Sequence, residues 1–175
     1  MMDLKTTIRS IKDFPKQGIM FRDITTLIEN PEALKFSAEE IIRRVKHLGI
    51  TKVAGIESRG FILGGIIAAN LDAGFVLIRK PGKLPSTKYS ESYSLEYGTD
   101  SIEMHTDSIK PGDKVLLHDD LLATGGTAEA AIKLIEKAGG EVVSIQFIIE
   151  LTFLPGREKL KGYTVDSLVA YDDEN

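Results

Sequence analysis

The stretch HDDLLATGGT, residues 118–127, sets two carboxylates just ahead of a turn built from small residues. Gly125 and Gly126 admit positive φ, which lets backbone N–H groups converge on an anion. Thr124 and Thr127 add hydroxyl donors, and a helix starting near Thr127 would present its positive dipole end. Such a turn suits a phosphate monoester. Asp119 and Asp120 repel phosphate and suit ribose hydroxyls or a Mg²⁺ ion instead. A single ligand that satisfies both features has a hydroxylated part and a phosphorylated part. With the chain reaching up to ~3.3 Å per residue, the loop can span a sugar, and a ribose 5-phosphate unit fits. The lysine of a Walker loop is missing, and the spacing is not that of a dinucleotide-binding G-x-G-x-x-G.

Alternating strands and helices must position these groups. NPEALKFSAEEIIRRVKHLG reads as an amphipathic helix with Asn30 as its N-cap, Pro31 in its first turn and Gly49 as its stop. KVAGI and GFVLI read as buried strands on either side of an apolar helix, GFILGGIIAANL. KVLLH reads as a strand ending at the aspartates, TAEAAIKLIEKAGG as the next helix, and EVVSIQFIIEL as a long strand. Residues 79–100, rich in Lys, Pro, Gly, Ser and Tyr, read as a long loop. SIEMHT reads as an exposed strand paired with ESYSLEY across the GTD turn. The order predicts one α/β domain over residues 1–175, with a mainly parallel sheet flanked by helices and a ligand at the carboxyl ends of its strands.

Composition narrows the function classes. A chain of 175 residues accommodates one core, and a net charge of −4 argues against general nucleic-acid binding. The absence of cysteine rules out disulfides and thiolate metal sites. The three histidines show no ligand spacing. Neither a signal peptide nor an apolar run of membrane-spanning length is evident, so the expected setting is the cytoplasm, with no membrane partner.

Five stretches, FPKQGIMFRDIT, GIESRGFILG, LIRKPGKLP, ESYSLEYG and VLLHDDLLATGGT, together resemble the type I phosphoribosyltransferases from about Ile11 to Val169. The resemblance implies a small hood over the site, contributed by about residues 1–30 and 80–105. It implies transfer of a phosphoribosyl group from phosphoribosyl pyrophosphate to adenine, giving AMP and pyrophosphate, by a homodimer that uses Mg²⁺. The phosphoribosyl group falls to Asp119, Asp120, Ala123, Thr124, Gly125, Gly126 and Thr127, and the pyrophosphate to Ser58, Arg59, Lys80 and Lys83. Asp119 and Asp120 are the carboxylates open to the metal, whose other ligands come mostly from substrate. Adenine falls to Met20, Phe21, Arg22 and Leu122, with Phe21 stacking on the ring and backbone groups reading its edge. Glu96, with Arg59 and Lys80, is implied as catalytic, moving a proton at the imidazole edge of the base. The peptide Ser58–Arg59 is implied to be cis. His118 departs from the family pattern and is expected to be a packed strand residue. Valine at Gly125 or Gly126 is expected to remove phosphoribosyl binding while leaving the fold largely intact.

Three other readings share the TGGT loop. Transfer to another purine is disfavoured by RKPGKLP together with YSLEYG. A transcription regulator that senses phosphoribosyl pyrophosphate usually adds a basic DNA-binding region, for which this acidic domain has no room. A ribose-phosphate pyrophosphokinase-like module would need far more chain.

Overall fold

A computed structural model describes residues 2–94 and 98–173. A short 3₁₀ turn leads into β1 (Arg9–Lys12) and β2 (Met20–Asp23), which pair antiparallel as a separate two-stranded sheet. α1 (Thr25–Glu29) and α2 (Pro31–Val45) follow. The Asn30 side chain accepts hydrogen bonds from the Glu32 and Ala33 amides at 3.0 and 3.1 Å, as a Pro31-led helix with an Asn cap requires. α2 ends at Val45, four residues short of Gly49, whose φ is +67°.

The central sheet holds five parallel strands in the order β4-β3-β7-β8-β9. These are β3 (Lys52–Ile56), β4 (Gly74–Ile78), β7 (Lys114–Leu122), β8 (Glu141–Leu151) and β9 (Val165–Tyr171). α3 (Gly60–Asn70) joins β3 to β4, α4 (Gly126–Lys137) joins β7 to β8, and the short α5 (Gly156–Lys159) precedes β9. Side chains alternate across the sheet: Ala54 and Leu117 face a core built on α4, while Val53 and Leu116 face one built on α2 and α3. Strand order reverses between β3 and β7, and the loops leaving their carboxyl ends open a crevice there.

The expected pairing of ESYSLEY with SIEMHT is present: β5 (Lys88–Ser94) runs antiparallel to β6 (Thr99–His105), and β5 begins inside the segment read as a long loop. β5 alternates exposed polar residues with half-buried tyrosines, so its composition hides its strand character. β6 is not the exposed strand expected. Ile102, Glu103 and Met104 are buried, the two apolar ones in the α4 core. β7 does not stop at the aspartates; its pairing with β8 continues through Leu121↔Ile149 and Leu122↔Glu150, which holds both carboxylates on a rigid strand.

Loss of the Asn30 cap should cost about 1 kcal/mol. Asn30→Ala is expected to lower the urea midpoint accordingly without altering ligand affinity, since the cap lies at the start of α2 and lines neither cavity of the crevice.

Candidate active site

Two cavities of about 210 and 250 Å³ occupy the crevice and share Arg59, Asp119, Asp120 and Thr127 in their linings. The first lies under the TGGT turn. Gly125 caps α4 with φ +77°, and no side chain caps that terminus, so the first-turn N–H groups remain directed at the cavity. Ala123, Thr124, Gly125, Gly126 and Thr127 all line it. The second is walled by Ile56, Glu57, Ser58, Lys80 and Tyr93. A larger hollow of about 720 Å³ lies beside α2 and β9, where Glu40 already pairs with Arg43 and Arg44.

Charge is arranged tightly where the cavities meet. Arg59 stands at the start of α3 and its Nε lies 2.5 Å from Asp120 Oδ2. Asp119 is held uncharged more readily than an ordinary carboxyl, because burial and the Asp120 charge push its pKa well up, with Arg59 acting the other way. Gly60 lets α3 approach, since a methyl group there would lie 2.9 Å from the His118 carbonyl oxygen and 3.1 Å from Asp119 Oδ1. Glu57 accepts from Arg79 Nε and Nη2 at 3.0 and 3.1 Å and from the Lys80 amide at 3.1 Å. That clasp ties the loop after β4 to the loop after β3 and turns Lys80 into the second cavity. Hydrogen bonding to Arg79 holds the Glu57 carboxyl below its usual range. Lys80 Nζ meets the Tyr93 hydroxyl at 2.9 Å and the Asp100 carboxylate.

Not every expected residue reaches the crevice. Phe21 lines neither cavity but stands beside Arg59, whose guanidinium lies 5.6 Å from its ring, with Phe14 packed edge-on at 5.1 Å. The Arg22 side chain is buried away from the crevice, donating to Ser10 Oγ at 2.6 Å and stacking 4.0 Å from the Tyr171 ring. Met20 is half-buried on the same strand. The Leu122 side chain belongs to the α4 core while its residue edges the first cavity. Lys83 is exposed and lines neither cavity; its carbonyl accepts from Arg79 Nη1 at 3.3 Å. Among the described residues the non-proline cis peptide is Glu57–Ser58, one residue before the expected bond. Ser58 and Arg59 already begin the helical turn, their carbonyls accepting from the Phe61 and Ile62 amides. Glu96 lies outside the described residues.

Four contributors carried little sequence signal. Gly156 presses on the TGGT turn so closely that a methyl group on it would sit 2.2 Å from the Ala123 carbonyl oxygen. Arg157 fixes that contact by a forked bond to Glu150 at 2.7 and 2.5 Å and by donating to the Val165 carbonyl at 2.8 Å. The dipeptide Pro155-Gly156 announced a turn and nothing more. Tyr93 and Asp100 sit in a polar alternation that resembles any solvated hairpin. The same close packing corrects the expectation for Gly125: a methyl group there would lie 2.6 Å from the Gly156 carbonyl oxygen, so valine would disturb the local fold as well as the ligand site.

This geometry agrees with a family model. Residues 24–169 match the phosphoribosyl transferase domain, and the chain belongs to that family. Relatives within it at 54–55% identity are adenine phosphoribosyltransferases. The one from Christiangramia forsetii is 55% identical over 170 residues, covering 97% of this chain and 99% of its own. The crystal structure of the Thermoanaerobacter pseudethanolicus protein superposes with a TM-score of 0.93 at 48% identity, covering 96% of this chain and 98% of its own. The Giardia lamblia enzyme, solved with 9-deazaadenine, gives 0.92 at 42% identity, covering 99% and 100%.

His118 is the packed residue expected, fully buried with Nδ1 2.9 Å from the Gln146 carbonyl oxygen. Burial depresses its pKa to about 4, against which the Gln146 hydrogen bond and Asp120 act. The unfolded imidazole takes its proton near 6.5 and the folded one only near 4. Stability from this group is therefore complete above pH 6.5 and lost as pH falls toward 4, by roughly 3 kcal/mol. His118→Val should flatten the stability profile in that window, measured by urea unfolding, and leave turnover at neutral pH little changed. For the phosphate turn, Gly156→Ala should weaken AMP binding by about tenfold or more, about 1.4 kcal/mol by calorimetry. Unchanged affinity would show that the turn does not depend on that contact.

Proposed function

We propose that this chain is a purine salvage enzyme that transfers the phosphoribosyl group of phosphoribosyl pyrophosphate to adenine, releasing AMP and pyrophosphate. The observation that carries the reading is the pair of cavities joined at Arg59, Asp119, Asp120 and Thr127. One has the backbone donors a 5′-phosphate needs, the other has cations for pyrophosphate, and carboxylates stand between them where ribose hydroxyls would lie. Base attack at C1 forms the C–N bond as the bond to the pyrophosphate oxygen breaks. Positive charge develops on the sugar while negative charge gathers on the leaving group. Arg59 and Lys80, with the Ser58 backbone, bind the departing anion, and Asp119 and Asp120 face the cationic sugar, whose charge favours an ionised Asp119.

Phe21 is the surface on which the adenine ring stacks, and backbone groups around Met20 and Arg22 read its edge. A fixed carbonyl and N–H that match adenine face like with like for a 6-oxo purine, at ~1–3 kcal/mol for each unpaired group. Glu96 accepts the imidazole proton in the forward direction and returns it in reverse. The β1–β2 and β5–β6 sheets are the two halves of the hood.

Among the described residues no group of three or more His, Asp or Glu side chains converges on one point, and Asp120 is engaged by Arg59. That donor set suits a Mg²⁺ held mainly by substrate oxygens, with Asp119 and Asp120 as the protein's contribution. Bound there, the ion would neutralise pyrophosphate charge. Ile62 on α3 and Leu77 on the end strand β4 are exposed large apolar residues, and they support a homodimer through that side. Among the described residues no helix is long and apolar enough to cross a membrane. The phosphorylated substrates belong to the cytoplasm, the compartment proposed for it.

The reading is tested by offering the purified protein phosphoribosyl pyrophosphate and Mg²⁺ with adenine, hypoxanthine, guanine or xanthine. AMP should be the dominant product, and equal yields from a 6-oxo purine would contradict the assignment. Glu96→Gln should slow single-turnover AMP formation by ~10²–10⁴-fold with a much smaller change in the KM for phosphoribosyl pyrophosphate. A near-native chemical step would reduce Glu96 to a lid residue.

A further inference from the structure

Lys80 is the cation that the proposed reaction directs at pyrophosphate, yet it already holds an anion of the protein's own. Its Nζ donates to the Asp100 carboxylate on β6 and to the Tyr93 hydroxyl on β5 at 2.9 Å, and that hydroxyl donates onward to Asp100 Oδ2 at 3.1 Å. Asp100 Oδ1 is fixed by the Ser101 amide at 2.7 Å, so the carboxylate is aimed rather than loose. Tyr93 also lines the cavity shared by Ser58, Arg59 and Lys80. The same end of β5 rests on the phosphate turn, with Tyr93 Cδ2 and the Ser94 carbonyl oxygen each 3.4 Å from where a Gly126 methyl group would lie. Nothing else in the proposed reaction uses Asp100, and a carboxylate beside a polyanion site opposes binding unless it serves some end.

We propose that Asp100 is a positioning residue that competes with pyrophosphate for Lys80. In the free protein it holds the ammonium at the cavity wall, backed by Tyr93. When the pyrophosphate end of the substrate arrives it exchanges places with Asp100, and as product pyrophosphate leaves the carboxylate returns to Lys80. Asp100 therefore weakens the hold on pyrophosphate without touching the ribose phosphate end. The inference rests on the reading of Lys80 as a pyrophosphate ligand.

Asp100→Asn keeps an acceptor for the Ser101 amide and replaces the Oδ2 that binds Lys80 and Tyr93 with an uncharged NH2 group. In calorimetric titrations of the full chain, magnesium pyrophosphate should bind this variant about two- to fivefold more tightly, the range for a partly exposed ion pair. Affinity for AMP, which lacks the pyrophosphate, should not move. In a Lys80→Met background the Asp100→Asn gain should vanish, because the competition runs through Lys80. Unchanged or weaker pyrophosphate binding by Asp100→Asn would overturn the proposal. So would an equal gain for AMP, or a gain that persists without Lys80, since either would reduce Asp100 to a general field. If Lys80→Met alone leaves pyrophosphate affinity unchanged, the reading of Lys80 itself falls. A loss there with no gain in Asp100→Asn defeats only the competition.

Discussion

The site depends on setting carboxylates beside a polyanion without letting them repel it. The 2.5 Å pair between Arg59 and Asp120 is the central solution. It neutralises one carboxylate in the free protein with a cation that, in the proposed reaction, pyrophosphate would claim. Burial supplies a second solution at Asp119, whose proton is held more tightly than an ordinary carboxyl would hold it. Both solutions require a rigid strand end at close quarters with a helix start. The continuation of β7 to Leu122 and the bare approach of Gly60 provide them. The bent phosphate turn, the Glu57 clasp on Arg79 and the placement of Lys80 all follow from keeping that junction fixed.

Rigidity comes from outside the ligand-facing residues. The TGGT turn is a short loop, and Gly156 seats against it because Arg157 is clamped to Glu150 near the end of β8. Hydrogen bonding to Arg157 keeps the Glu150 carboxyl below its usual range, so the clamp stays charged through the neutral region. The two small sheets are tied down differently. β6 is anchored through Ile102 and Met104 in the α4 core, whereas β1 and β2 hold on through Arg22 and Tyr171 at the far edge. Among the described residues the site thus joins a fixed floor to two separately attached walls.

Much of this was legible in the chain. Asn30-Pro31 marked the start of α2, and the apolar runs around KVAGI and GFVLI marked parallel strands, because local propensity and burial agree there. The order of aspartates, glycine turn and helix located one of the two cavities, since those residue types have few other uses in that order. Failures fell where tertiary contacts overrule local pattern. Residues 88–90 look like loop because their outward face is polar, which hid where β5 begins, and the burial of Glu103 depends on partners that no periodicity reveals, the Gly82 amide and Lys88. The role of Gly156 is set by a carbonyl more than thirty residues away in sequence, and the internal partners of Lys80 by a hairpin fold. The inward face of Phe21 and the outward commitment of Arg22 follow from strand alternation once β2 is known, but its register needed the structure.

The central claim is that one ligand spans both cavities and takes Arg59 from Asp120. A crystal structure of the protein with Mg²⁺ and phosphoribosyl pyrophosphate tests it most directly. The account predicts the 5′-phosphate against the backbone N–H groups of Gly125, Gly126 and Thr127, ribose hydroxyls on Asp119 and Asp120, and the Arg59 guanidinium turned to the pyrophosphate. A complex in which the phosphate lies away from that turn, or in which the ribose hydroxyls leave both aspartates untouched with the Arg59–Asp120 pair intact, would contradict it.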